Sequence, residues 1–130
     1  MSKDNKPNEK KNVLGGTLEA CCFAPKTGYF RDGYCRTDDS DRGRNVICAE
    51  VTESFLRFSK ERGNDLSTPR PEFSFPGLKP GDRWCVCALR WVEALEEGLA
   101  PPVILESCEQ TALDVVPLEA LQDHAIKALH

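Results

Sequence analysis

The stretch FPGLKPGDRWCVC, Phe75 to Cys87, places two thiols one residue apart just after a tryptophan, where a proline-rich segment gives way to a periodic one. Thiols in that setting can ligate a metal, exchange electrons, or pack as small apolar side chains. The chain carries seven cysteines in all, and its first residues lack the apolar run of a secretory signal. That combination points to a reducing cytosol in which thiols stay free and a disulfide framework is not expected, as the odd count also implies.

Geometry separates the three chemistries. On a regular helix Cys85 and Cys87 lie about 200° apart and cannot face one ion, whereas on an extended chain residues two apart point the same way and can. Zinc takes four tetrahedral ligands, usually from paired C-x-x-C knuckles, and this chain has none. A metal site would therefore be gathered from distant segments, with Cys35, Cys48, Cys85 and Cys87 as the candidate ligands and zinc as the candidate ion. If Cys85 stands in the first turn of a helix, the dipole favours its thiolate, and a thiol enzyme or redox protein is a third reading. Free cysteine is also among the most buried residue types, so plain core packing, with no cofactor, is the preferred one.

The elements that must position these thiols follow from pattern. NVICAEV is rich in β-branched residues and reads as a buried strand, with Val46, Cys48 and Glu50 on one side and Ile47, Ala49 and Val51 on the other. Thr52 caps a helix of about three turns over ESFLRFSKER that ends at Gly63. Asp82 caps a second helix over RWCVCALRWVEALEEG, where Trp84, Ala88, Trp91 and Leu95 share a face and Gly98 is the stop. VILES reads as a strand, CEQTALD as a short helix and PLEALQDHAIKAL as a closing helix with Pro117 in its first turn. Asp32-Gly33, between aromatic residues, predicts a tight hairpin. A few short strands and about four helices in no βαβ order predict a compact single-domain α+β fold over residues 13–130, after a disordered polar arm at 1–12.

Between Gly63 and Gly81 no period is present, and Pro69, Pro71, Pro76 and Pro80 fix the backbone. A loop longer than about 12 to 15 residues usually binds something or is disordered. Phe73, Phe75 and Leu78 argue for order, as apolar anchors on the core. Polar groups at its two ends, Asn64, Asp65, Ser67, Thr68 and Arg70 with Lys79, Asp82 and Arg83, would then converge over an apolar floor, which is what a small-ligand or peptide pocket needs. Asn64, Asp65, Arg70, Asp82 and Arg83 are the candidate binding residues. The competing role for the same side chains is capping the loop's own backbone.

Charge narrows the partners. The arm holds four Lys against one Asp and one Glu, while the other 118 residues hold 13 basic and 19 acidic side chains. An acidic body repels polyanions, so neither nucleic acid nor an anionic membrane is an expected partner. Asp38, Asp39 and Asp41 fit no calcium-loop register, because position 6 is Arg44 in one and position 12 is Ala49 in the other. Gly15-Gly16 opens no phosphate-binding pattern.

GYFRDGYC, GRNVICAEVTESFLRFSKERGNDLSTPRPEF, FPGLKPGDRWCVCALRW and APPVILES, taken in order, resemble the small bacterial proteins of the domain of unknown function 2237 family, from Leu14 to about Leu121. The resemblance implies no activity. It does imply that Cys21, Cys35, Cys48, Cys85 and Cys87 occupy positions the family pattern shares, that Cys22 and Cys108 are particular to this chain, and that Asn45 and Glu109 stand where relatives tend to carry histidine. The residues themselves, the long aromatic loop above all, predict a cytosolic, non-enzymatic or accessory domain that binds a small ligand or peptide at the 63–83 loop.

Overall fold

The structure is a computed structural model that describes residues 10–24, 26–41 and 43–126. It is an α+β arrangement built on one two-stranded antiparallel sheet, β1 (Asn45–Glu50) with β2 (Arg83–Cys87). Three α-helices accompany it: α1 (Glu53–Glu61), α2 (Ala88–Glu96) and α3 (Leu118–Asp123). Most of the expected arm, residues 1–9, lies outside the described residues, while Asn12 at its end is buried and pairs with Glu109.

The strand β1 forms as its β-branched pattern requires, and Val46 through Ala49 are all fully buried, so both faces of the strand are covered. Its register sets Ile47 opposite Val86, Cys48 opposite Cys85, Ala49 opposite Trp84 and Glu50 opposite Arg83, with a bulge between Asn45 and Ile47. Thr52 caps α1 by accepting from the Phe55 amide at 3.1 Å. Phe55, Leu56 and Phe58 are its buried face, and Gly63, at φ +89°, lets the chain leave the helix.

The segment after Asp82 departs from expectation. Arg83–Cys87 is strand, and the helix starts only at Ala88. Trp, Cys and Val fit a pleated surface as well as a helix, and pairing with β1 decides between them, a contact invisible to local period. Asp82 caps no helix; its carboxylate accepts from the Lys79 amide at 2.9 Å and closes a turn. Of the predicted shared face, Ala88 and Trp91 are buried and Leu95 is partly so, but Trp84 belongs to the sheet. Trp91 is the largest fully buried side chain, with its indole N–H donating to the Pro101 carbonyl at 3.1 Å.

Three further expectations fail. VILES is not a strand: Val103 makes single bridges to Ala49 and Ala125, and Leu105–Ser107 is a 3-10 turn. Pro101 and Pro102 bring no N–H to a ladder there, so only the Pro102 carbonyl and the Ile104 amide bond to β1, at 2.9 Å each. CEQTALD is likewise 3-10 at Gln110–Asp114, leaving three α-helices among the described residues rather than four. The Asp32-Gly33 hairpin does not form either. A type I′ turn needs positive φ at both residues, and here the positive values fall on Gly28, Arg31 and Gly33. Asp32 accepts from the Tyr34 amide at 3.1 Å and from Arg36 Nε at 2.6 Å, which stabilises a wider, irregular loop.

Candidate functional site

The described residues of 13–41 contain no helix and no paired strand, yet Val13, Leu18, Cys21, Thr27 and Cys35 are buried. Sulfur holds this irregular layer to the sheet. Cys21 is disulfide-bonded to Cys48 and Cys35 to Cys85, with Cα separations of 5.7 and 5.3 Å, inside the ordinary range for such bonds. Since Cys48 and Cys85 are directly opposed in the ladder, the two bridges rise side by side from one place on the sheet. The sulfurs of Cys21, Cys35 and Cys85 all lie within 4.8 Å of one another. Beside them, the Cys85 amide donates to Thr27 Oγ1 at 2.8 Å, a buried bond joining loop and sheet.

The expectation of free thiols is therefore overturned for four of the seven cysteines. Spacing along the chain could not show it, because the partners are 27 and 50 residues apart and meet only once the sheet has formed. Cys22 and Cys87 are free and half-buried, and Cys108 is free and buried. Of the predicted ligand set, Cys35 and Cys85 fall in one sulfur group together with Cys21, Cys48 is joined to that group only through its bond to Cys21, and Cys87 lies outside it. The thiol-enzyme reading of Cys85 loses its premise, since the residue is on a strand and its sulfur is bonded. Burial, followed by the charge of Glu106, outweighs a backbone hydrogen bond and pushes the Cys108 thiol up to about 12, so it stays protonated and unreactive at neutral pH.

Over the other part of β2 the chain builds a cleft. Trp84 is its floor, with the Phe75 ring set edge-on at 5.2 Å and the Arg31 guanidinium 5.3 Å from the indole centroid. The proline-rich loop makes the opposite wall: Arg70 and Phe75 exchange backbone hydrogen bonds at 2.7 and 3.1 Å around a 3-10 turn at Pro71–Phe73. Asn64, Asp65, Arg70 and Phe73 also line this space, whose volume is about 300 Å³. A smaller hollow of about 170 Å³ shares Arg31 and Trp84 and reaches Cys85 and Asn45.

The structure thus brings three of the five candidate binding residues, Asn64, Asp65 and Arg70, to one cleft. Asp82 and Arg83 are elsewhere, in the Lys79 turn and in an ion pair with Glu50 at 3.6 Å. Asp65 is a loop cap as well: it accepts from the Ser67 amide at 2.9 Å, the Thr68 amide at 3.2 Å and the Thr68 hydroxyl at 2.7 Å. The Thr68 hydroxyl foremost, then the Ser67 amide, hold its carboxyl below the usual carboxylate range. The loop is ordered as predicted, pinned by buried Phe75 and Leu78, but Phe73 is no anchor; it is 67% exposed at the rim of the cleft.

Arg31 and Trp84 were missed. No local signal marks Arg31, which owes its place to φ +56° in an irregular loop, and Trp84 was assigned to a helix that starts later. Two of the three Asp in the segment that fits no calcium loop, Asp38 and Asp41, are accounted for by hydrogen bonds within their own turn. Asp38 accepts from the Ser40 hydroxyl and amide, and buried Asp41 from the Thr37 hydroxyl at 2.9 Å and from Asn45 at 2.8 and 3.0 Å.

Among the described residues no helix is long and apolar enough to cross a membrane. No curated protein matches the chain. A family model, described as "Uncharacterized protein conserved in bacteria (DUF2237)", matches residues 11–125, and the chain belongs to that family.

Proposed function

We propose that the protein is a non-enzymatic binding domain whose cleft takes a small planar ligand bearing an anionic group. One observation carries the reading. Two guanidinium groups, Arg31 and Arg70, flank the Trp84–Phe75 floor, and neither is in an ion pair among the described residues. The one carboxylate in the cleft, Asp65, is turned into its own loop by three hydrogen bonds, so it competes weakly for those cations. Aromatic surface for the flat body and a guanidinium fork for the acid are complementary to such a molecule. Backbone strain agrees: Arg31 holds a left-handed conformation that a bulky residue adopts only where surrounding structure enforces it.

Phenyl phosphate is a suitable probe, followed through the fluorescence of Trp84 in a Trp91→Phe background. Saturable quenching is expected. Arg70→Ala weakens binding about tenfold or more, from the loss of a charge-assisted hydrogen bond of about 1.5 to 3 kcal/mol. Arg31→Gly does the same while leaving stability intact or slightly raised, since glycine accepts positive φ. Equal affinity in wild type and both variants, or no saturation at millimolar probe, contradicts the proposal.

A further inference from the structure

Two disulfides that only staple a loop to a sheet have no need to stand together, yet here the buried sulfurs of Cys21, Cys35 and Cys85 form one group, to which Cys48 is joined through its bond to Cys21. Cys21 and Cys35 come from the irregular layer, and Cys48 and Cys85 from facing positions on β1 and β2. None of the four is more than 6% exposed. A zinc tetrathiolate has Zn–S bonds of about 2.3 Å and hence sulfurs roughly 3.8 Å apart; Cys21, Cys35 and Cys85 are already within 4.8 Å of one another, and Cys48, released from Cys21, has to turn in as the fourth ligand. The remaining thiols lie outside the group, although Cys22 and Cys87 are the more accessible ones.

We propose that, when both disulfides are reduced, the protein binds one zinc ion through Cys21, Cys35, Cys48 and Cys85. The exchange balances. A dithiol or phosphine reductant supplies four electrons, which with four protons convert two disulfides into four thiols; the ion then displaces four protons and leaves a Zn(S-Cys)4 core of charge −2. Arg31, which lines the hollow beside Cys85, brings positive charge to that side. In a reducing compartment the disulfide clamp on residues 13–41 is absent, and the ion replaces it. The same wall of the cleft is held in either redox state. This proposed set differs from the one expected from the sequence, with Cys21 in place of Cys87.

The test uses the full chain, reduced anaerobically with a phosphine, loaded with zinc chloride and desalted, with metal measured by elemental analysis. The expected result is one equivalent in wild type and in the Cys22→Ser/Cys87→Ser/Cys108→Ser triple variant, and loss of the metal from Cys35→Ser and Cys48→Ser. Cobalt in place of zinc shows thiolate charge-transfer bands in the wild type and the triple variant alike. Less than about a tenth of an equivalent in wild type, where zinc-finger affinities would fill the site, overturns the proposal. So does loss of metal or of the cobalt bands in the triple variant, neither of which depends on whether the single serine variants fold. Arg70→Ala loads zinc normally, which separates this result from that of the cleft.

Discussion

Cys85→Ser lowers the stability of the oxidised protein by about 4 kcal/mol, measured by linear extrapolation of urea unfolding with the slope fitted separately for each variant. The Cys35–Cys85 bond closes a loop of 50 residues, for which the chain-entropy model gives about 4 kcal/mol; the 27 residues spanned by Cys21–Cys48 give about 3.5 kcal/mol. The effect is large because, besides the bridges, scattered hydrogen bonds and a few buried side chains fasten residues 13–41. Among the described residues they have no helix and no strand ladder, and they reach the sheet through bonds such as Cys85 N–H to Thr27. A control isolates the bridge from the lost sulfur atom. In a phosphine with a chelator present, wild type and variant unfold within about 1 kcal/mol of each other, since both then lack the bond. Equal midpoints under oxidising conditions would remove the disulfides from the account.

The second large effect is in the core. Trp91→Ala costs about 4 kcal/mol, the usual range for an aromatic side chain deleted from a position that cannot collapse. Trp91 is fully buried in α2, its ring 5.4 Å edge-on from that of His124, and its N–H satisfies the Pro101 carbonyl. Trp91→Phe separates the contributions. It keeps most of the volume but leaves a buried carbonyl without its donor, and is expected to cost about 1 to 3 kcal/mol. Thermal or urea unfolding followed by far-ultraviolet circular dichroism distinguishes the two. A Phe variant as unstable as Ala would mean that the Pro101 bond, rather than packing, dominates.

How much of this was legible depended on whether a signal was local. The β1 strand, the Thr52 cap, the buried face of α1 and the Gly63 stop were readable because each is decided within a few residues. The order of the proline-rich loop was readable too, from aromatic density between prolines, although Phe75 and Leu78 bear it and Phe73 does not. Trp84–Cys87 was misassigned because an aromatic and three small or branched residues suit a strand and a helix alike, and the Cys48–Cys85 pairing that decides lies 37 positions away in the chain. The sulfur group was beyond reach for the same reason. Extended geometry was recognised as the condition for convergence, and β2 is extended, yet Cys85 turns to a sulfur in the irregular layer and Cys87 stays free. At the cleft, polar residues flanking the loop identified Arg70, Asn64 and Asp65, whereas Arg31 arrives from an irregular loop that carries no turn motif legible in the sequence.

The convergence of four cysteines on one place on the sheet underlies both the cleft wall and the proposed zinc site. Peptide mapping of air-exposed, metal-free protein, alkylated and digested without reductant, addresses it most directly. The expected products are linked peptides joining Cys21 to Cys48 and Cys35 to Cys85, with Cys22, Cys87 and Cys108 alkylated. Linkages running through Cys22 or Cys87 instead, or seven alkylated cysteines, would contradict it.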